Sequence, residues 1–162
     1  MANDCNIHLI ISHPEKEKMD ALVQAFDNNC LFQTFRPIPE GEKNQLEFCA
    51  ENWGTMKDVY DVESIDYSND EDHCWFLTFS TAWTPPVEFV KFLHEELGFD
   101  VNMHYCECGV GFCGEYVNGY YNHYDFEEVT DPSQIEDITD IFPEILEDDR
   151  LNIVREESEE EE

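Results

Sequence analysis

One histidine and three cysteines sit close together late in the chain: His104, Cys106, Cys108 and Cys113. Thiolates and imidazoles are the ligands of structural zinc, and a thiolate beside an imidazole is a covalent nucleophile. Structural zinc, however, takes two close pairs carried on separate turns. Here the close pair is Cys-x-Cys in a stretch that alternates like a strand, so both thiols fall on one face. Cys49, Cys74 and His8 would complete a site only if the fold gathered them, and His8, Cys74, His104 and Cys106 are expected on one open sheet face. An acidic surround also raises a thiol's pKa, the wrong direction for a nucleophile. The reading is therefore of small buried or half-buried thiols, with no metal, no cofactor and no catalytic residue.

Two other constellations invite chemistry. Gly109, Gly111 and Gly114 (GVGFCG) have the wrong spacing for either standard phosphate fingerprint, and no lysine follows, so they read as a turn between strands. Tyr116, Tyr120, Tyr121 and Tyr124 cluster in one short stretch. Such rings stack on nucleic-acid bases when Lys and Arg are near. None is near, so packing or an aromatic protein-binding patch ringed by acid is expected instead.

Carboxylates are the outlier. The chain has 162 residues and holds 39 Asp and Glu against 8 Lys and Arg, a formal net charge of −31. Residues 125–162 carry 17 against 2, and residues 1–124 carry 22 against 6, so the acid is not confined to a tail. So few cations exclude direct nucleic-acid binding and disfavour anionic membranes. A small domain needs a net charge of only about 2–8 for solubility. Duplex DNA carries one charge per about 1.7 Å, so this surplus matches that of roughly 50 Å of duplex. The reading that follows is an acidic inhibitor that mimics DNA. It would occupy the basic groove of a nucleic-acid-handling protein. Asp125, Glu127, Glu128, Asp131, Glu136, Asp137, Asp140, Glu144, Glu147, Asp148 and Asp149 are expected to form its electrostatic surface. The alternative is a non-enzymatic adaptor that binds through an open sheet face or hairpin edge. The target and the oligomeric state stay open.

The elements that must carry these groups follow from periodicity. Apolar content of 41% is enough for a core. Asn6 to Ser12 alternates as a strand, and Pro14 opens a helix through Met19, Leu22, Val23 and Phe26, ending near Asn28-Asn29. Residues 31–43 look irregular. Leu46, Cys49, Ala50 and Trp53 mark a short helix stopped by Gly54, and residues 58–67 are strand-like. The run from His73 is expected to be the central strand. It feeds a helix that Thr84 caps and Pro85 starts, with Val87, Val90, Leu93 and Leu97 inward and Gly98 at its close. Phe99 to Tyr105 alternates as a strand with one wet face. Asn118-Gly119 signals a two-residue hairpin turn. Asp131-Pro132-Ser133-Gln134 starts a last helix, interrupted by Pro143. The order predicts an α+β fold: a ferredoxin-like split β-α-β-β-α-β antiparallel sheet with an added hairpin over residues 1–124. A packed acidic helical extension over 125–155 and a disordered acidic tail over 156–162 complete it. Seven cysteines, an odd number, with no secretory signal or membrane span, place the chain in a reducing cytoplasm with free thiols.

Three segments carry a resemblance. Glu51-Asn52-Trp53-Gly54-Thr55, then Thr81-Ala82-Trp83-Thr84-Pro85-Pro86, then Tyr105-Cys106-Glu107-Cys108-Gly109 with Phe112-Cys113-Gly114 resemble the YubB-like, ferredoxin-like domain family of phages and conjugative plasmids. The pattern there runs N-W-G-T-K-W-D, T-A-W-S-P-P and Y-x-E-x-G-x-x-F-x-G. This chain departs at Met56-Lys57-Asp58, which lacks the second tryptophan, and at Thr84, which replaces Ser. The match spans residues 5–120. It implies a fold and a mobile-element origin, and with that origin a host defence or nucleic-acid-handling protein as target, such as a restriction, CRISPR or recombination nuclease in the host cytoplasm; it brings no reaction. The Trp and Pro positions read as framework.

Overall fold

Strand β1 (Asp4–Ser12) shows the alternation that its sequence dictates: Cys5, Ile7, Leu9 and Ile11 are buried, and their neighbours are less so. The computed structural model describes residues 3–69, 72–129 and 133–134. Helix α1 (Lys16–Asp27) buries Met19, Leu22, Val23 and Phe26, as the spacing predicts. It ends at Asn29, whose φ of 60° is the left-handed stop that asparagine tolerates. His13 ties its start to a distant loop. The imidazole Nδ1 accepts the Glu15 N–H at 2.9 Å, so Nε2 carries the proton and donates to the Leu97 carbonyl at 3.2 Å.

Residues 31–43 are not wholly irregular. Helix α2 (Leu31–Phe35) forms there, with Leu31 and Phe32 buried. Its first N–H groups are satisfied from afar: the Asp58 carboxylate accepts from Phe32 at 3.0 Å and Gln33 at 2.9 Å. Helix α3 (Gln45–Asn52) is capped by Asn44, which accepts from Glu47 N–H at 3.2 Å. Cys49 and Trp53 pack inward as expected, but Leu46 is exposed.

Strands β2 (Tyr60–Asp66), β3 (Cys74–Ala82), β4 (Asp100–Glu107), β5 (Phe112–Val117) and β6 (Tyr120–Asp125) complete a six-stranded sheet. All pairs are antiparallel and the order is β2-β3-β1-β4-β5-β6. The fold is therefore α+β, with four α-helices among the described residues. The strand from Cys74 is not the hub. It lies next to edge strand β2, and β1 holds the inner position between β3 and β4.

Helix α4 (Val87–Glu95) starts later than the sequence predicts. Pro86, not Thr84, stands at its cap, and Thr84 Oγ1 instead donates to the Gly54 carbonyl at 2.6 Å. Its close is as read: Gly98 has φ 76°, and Phe99 N–H returns to the Leu93 carbonyl at 3.0 Å. Asn118 and Gly119 both take positive φ, 44° and 98°, as a type I′ hairpin requires.

One core results. Odd-numbered residues of β1, β3 and β4 meet α1 to α4, with Phe26 against Phe79 at 5.4 Å and Phe32 against Phe89 at 4.6 Å. The sheet's other face receives none of these helices. The expected helix start at Asp131-Pro132, most of the acidic extension and the acidic tail lie outside the described residues. What is described beyond β6 is a 3-10 turn, Phe126–Glu128, with Phe126 and Val129 buried, and then Ser133 and Gln134, both helical.

Candidate functional site

Strands β5 and β6 extend the sheet past α4, so among the described residues their helix-side face has no helix above it. The result is a groove of about 750 Å³ between α4 and the hairpin. Its floor is aromatic: Phe112, Tyr116, Tyr121 and His123. Its wall is α4, with Val87, Glu88, Lys91 and Glu95, and its end is Gly54, Thr84 and Pro85.

Side-chain hydrogen bonds build that end. Thr55 Oγ1 donates to the Ala82 carbonyl at 2.8 Å, and Thr81 Oγ1 to the Thr84 carbonyl at 2.7 Å. A Cβ at Gly54, which has φ 84°, would lie 3.0 Å from the Pro85 carbonyl oxygen, so only glycine fits without a shift. Trp53 is buried and donates from Nε1 to the Arg36 carbonyl at 2.9 Å. It is framework, as its motif suggests. Trp83 is not: its φ is 69° and it is exposed.

The floor depends on β4–β5 register. Tyr105 is fully buried opposite Gly114, and a Cβ there would collide with its ring and with the Asn122 carbonyl. Tyr105 Oη meets His123 Nδ1 at 2.7 Å and donates to Tyr121 Oη at 3.2 Å. Burial first, then the bond to Tyr121, pushes the Tyr105 phenol well above its ordinary pKa. Glu107, also buried, shapes the following turn by accepting the N–H groups of Gly109 at 2.6 Å and Val110 at 2.8 Å. The three segments singled out in the sequence thus have local roles, and each contributes to the groove: Gly54, then Thr84 and Pro85, then Phe112.

Strand alternation divides the four tyrosines. Tyr116 and Tyr121 pair in register and face the groove, whereas Tyr120 and Tyr124, opposite Val117 and Cys113, face the other way. They are not one aromatic patch.

On that other face, His8 lies directly opposite His104, Cys106 opposite Asn6 and Cys74 opposite Ser12. The four residues share a face, as read, but not a point on it. Cys106 Sγ and Cys108 Sγ are 3.4 Å apart. Among the described residues no three His, Cys, Asp or Glu side chains are arranged to hold a metal ion. Burial, then neighbouring Cys108, raises the Cys106 thiol, and the same causes push Cys113 up to about 12. Neither is a thiolate nucleophile at neutral pH.

The described carboxylates are spread over α1, α3, α4, edge strand β2 and the helix-free sheet face, not gathered on one side. Of the anticipated electrostatic residues, Asp125 caps the 3-10 turn by accepting the Glu127 N–H at 3.0 Å, and Glu127 and Glu128 are exposed. Asp131, Glu136, Asp137, Asp140, Glu144, Glu147, Asp148 and Asp149 lie outside the described residues.

Comparison of the chain with protein-family models, with curated proteins and with solved structures finds no match. Among the described residues no helix is long and apolar enough to cross a membrane.

Proposed function

We propose that this protein acts stoichiometrically, by docking its anionic surface onto the cationic nucleic-acid groove of another protein. The observation that carries this is the charge imbalance, 39 acidic side chains against 8 basic ones. Within the described residues, lysine meets carboxylate only in two exposed pairs on α1, Lys16–Asp20 at 3.5 Å and Lys18–Glu15 at 3.2 Å. Such pairs contribute little. Most of the described carboxylates have no lysine or arginine against them, and steering by the field they create makes association fast and dependent on salt. Because the described acids occupy several sides, the reading is a polyanionic surface and does not depend on a duplex-shaped ridge.

The strand neighbours β2-β3-β1-β4, with α1 between β1 and β2 and α4 between β3 and β4, support a split β-α-β-β-α-β core to which β5–β6 is added. With the three-segment likeness to the YubB-like family, this supports a phage- or plasmid-type accessory role against a host defence or nucleic-acid-handling protein in the cytoplasm.

The test is capture of host proteins on the immobilised full chain at low and high salt, with duplex DNA as competitor. The expected partner is a nucleic-acid-handling protein that duplex DNA displaces. Its affinity should fall on the order of 10³-fold between about 50 and 200 mM salt. A partner indifferent to salt and to duplex overturns the proposal. It would favour the adaptor reading, which one observation supports. Ile65, Phe76, Ile10, Asn102, Val117 and Tyr120 fall in one row across the helix-free face, and Ile65, Ile10 and Tyr120 are exposed.

A further inference from the structure

We infer that the groove between α4 and the β5–β6 hairpin seats an arginine side chain presented by the basic partner. The inference rests on the docking function proposed above and names the contact that would give it specificity.

The groove offers what a guanidinium takes. Its floor presents flat rings: Tyr121 and His123 lie nearly parallel, 16° apart with centroids at 6.4 Å, and Tyr121 is exposed. Guanidinium groups stack on such faces. Its wall presents carboxylates. Glu88 and Glu95 are seven residues apart on α4, hence on one side of it, and neither pairs with a cation among the described residues. Both sit close enough to Tyr116 to raise its phenol's pKa, after burial and with Glu95 the stronger of the two, while the Gly119 amide works the other way.

Tyr116 supplies the observation that points to a ligand. The residue is 3% exposed, and apart from the nearby Gly119 amide its hydroxyl has no hydrogen-bond partner among the described residues. A buried polar atom without a partner is uncommon in a native fold. The hydroxyl is shielded from water, so a ligand reaches it only when a rim side chain moves, and Lys91 and Glu95 are long and exposed. Arginine has five donors and no acceptor, which matches carboxylates that only accept and a phenol oxygen that keeps a lone pair beyond the one facing the Gly119 amide. Lysine lacks the planar fork.

The other side of the same helix already holds such a contact. Arg36 places its guanidinium carbon 4.6 Å from the Phe92 ring centre and donates from Nη1 to the Asn52 carbonyl at 2.9 Å. This happens in a smaller pocket that shares Glu88, Lys91 and Glu95 with the groove. Lys91 is the groove's own cation and would compete with the incoming arginine. An anionic occupant is disfavoured, since Lys91 faces two carboxylates in a chain of net charge −31.

The experiment is an NMR titration of the full chain with a short glycine-flanked peptide carrying one arginine, beside peptides with lysine or with citrulline, the neutral isostere. Saturating shifts are expected at Tyr116, Tyr121 and His123, with citrulline at least about tenfold weaker. Lys91→Ala should tighten the arginine peptide. Tyr116→Phe and, separately, Glu95→Gln should each weaken it about three- to tenfold with the fold intact by the same spectra. Equal binding of citrulline overturns the inference. So do shifts scattered over surface carboxylates without saturation, or an unchanged affinity in both variants. If the peptide fails while capture of a basic partner still falls with salt, the groove is refuted and the docking function stands. If the peptide binds at the groove but no salt-sensitive partner exists, the docking function fails and the groove is a cation site in its own right.

Discussion

Ile11 lies on the face of the sheet that packs under the helices and is 1% exposed, whereas Ile10, one residue earlier, lies on the helix-free face and is 45% exposed. Residue type and strand are the same, and the pleat alone sends them to opposite sides. The helix side holds Ile11 within a core of phenylalanines, leucines and valines. The other side places Ile10 in a row with Ile65, Phe76, Asn102, Val117 and Tyr120 and sets two histidines and a carboxylate beside it. Burial is what gives an apolar side chain its energetic weight, so the two faces have different tasks. One holds the fold together against a large self-repulsion, and the other, around Ile10 and Tyr120, carries apolar side chains that none of the four described α-helices covers.

The strongest challenge to this division is a pair of truncations. Ile11→Ala should lower unfolding stability by about 2–5 kcal/mol, the usual cost of emptying a core site. Ile10→Ala should cost under about 1 kcal/mol, since about half of its area already meets water. Urea titration of both variants reads the difference. Equal losses would mean that the helix-free face is covered in the folded chain.

A second contrast lies within the helix-free face. At one end Ile10 and Tyr120 are open; at the other, Cys106 and Cys113 are fully buried. Burial, with Cys108 and then Glu115 beside it, moves the Cys113 thiol from its ordinary value of 9.0 up to about 12. The sign follows. Between those values the unfolded chain has lost a proton that the folded chain keeps, so raising the pH favours unfolding. The share of stability that the Cys113 thiol contributes is whole below about pH 9 and is lost as the pH climbs toward 12. Tyr105 and Tyr116, both raised mainly by burial, add to the loss above pH 10. In Cys113→Ala the urea midpoint should fall less between pH 8 and pH 10.5 than in the parent chain. An equal fall would place the alkaline loss elsewhere.

How much of this could be read without coordinates follows from how local each signal is. Strand β1, helix α1 and the Asn118-Gly119 turn are written in neighbouring residues, by period or by the need for positive φ. Helix α2 is not, because the carboxylate that satisfies its first amides belongs to Asp58, some 25 residues on. The tyrosines cluster in sequence, and adjacent Tyr120 and Tyr121 still part company because a strand reverses face at each residue. Single residues of the groove stood out in the sequence, among them Gly54, Thr84, Tyr116 and Tyr121, but nothing local joined them into one site. Its wall and floor come from α4 and from β5–β6, and the fit of Tyr105 over Gly114 exists only once β4 and β5 are in register. Trp53-Gly54-Thr55 and Thr81 to Pro86 stood out in the sequence, but the hydrogen bonds that join them span about 30 residues.

The finest test of the two-sided reading concerns Asn102. In register its neighbours are Ile10 and Val117, and its Oδ1 is buried with no hydrogen-bond partner among the described residues. A strand position between two apolar side chains favours a β-branched residue. An acceptor removed from water without a bond is a cost that the folded state carries and the unfolded state does not. Asn102→Val should therefore raise stability, by about 0.5–1 kcal/mol, as other repairs of local conflict do. It should also lengthen the apolar row without touching the groove on the opposite side. Urea titration reads the gain, and the arginine-peptide titration should stay unchanged. A loss of stability would mean that Asn102 has a partner in the folded chain, and that the helix-free face is closed where this reading leaves it open.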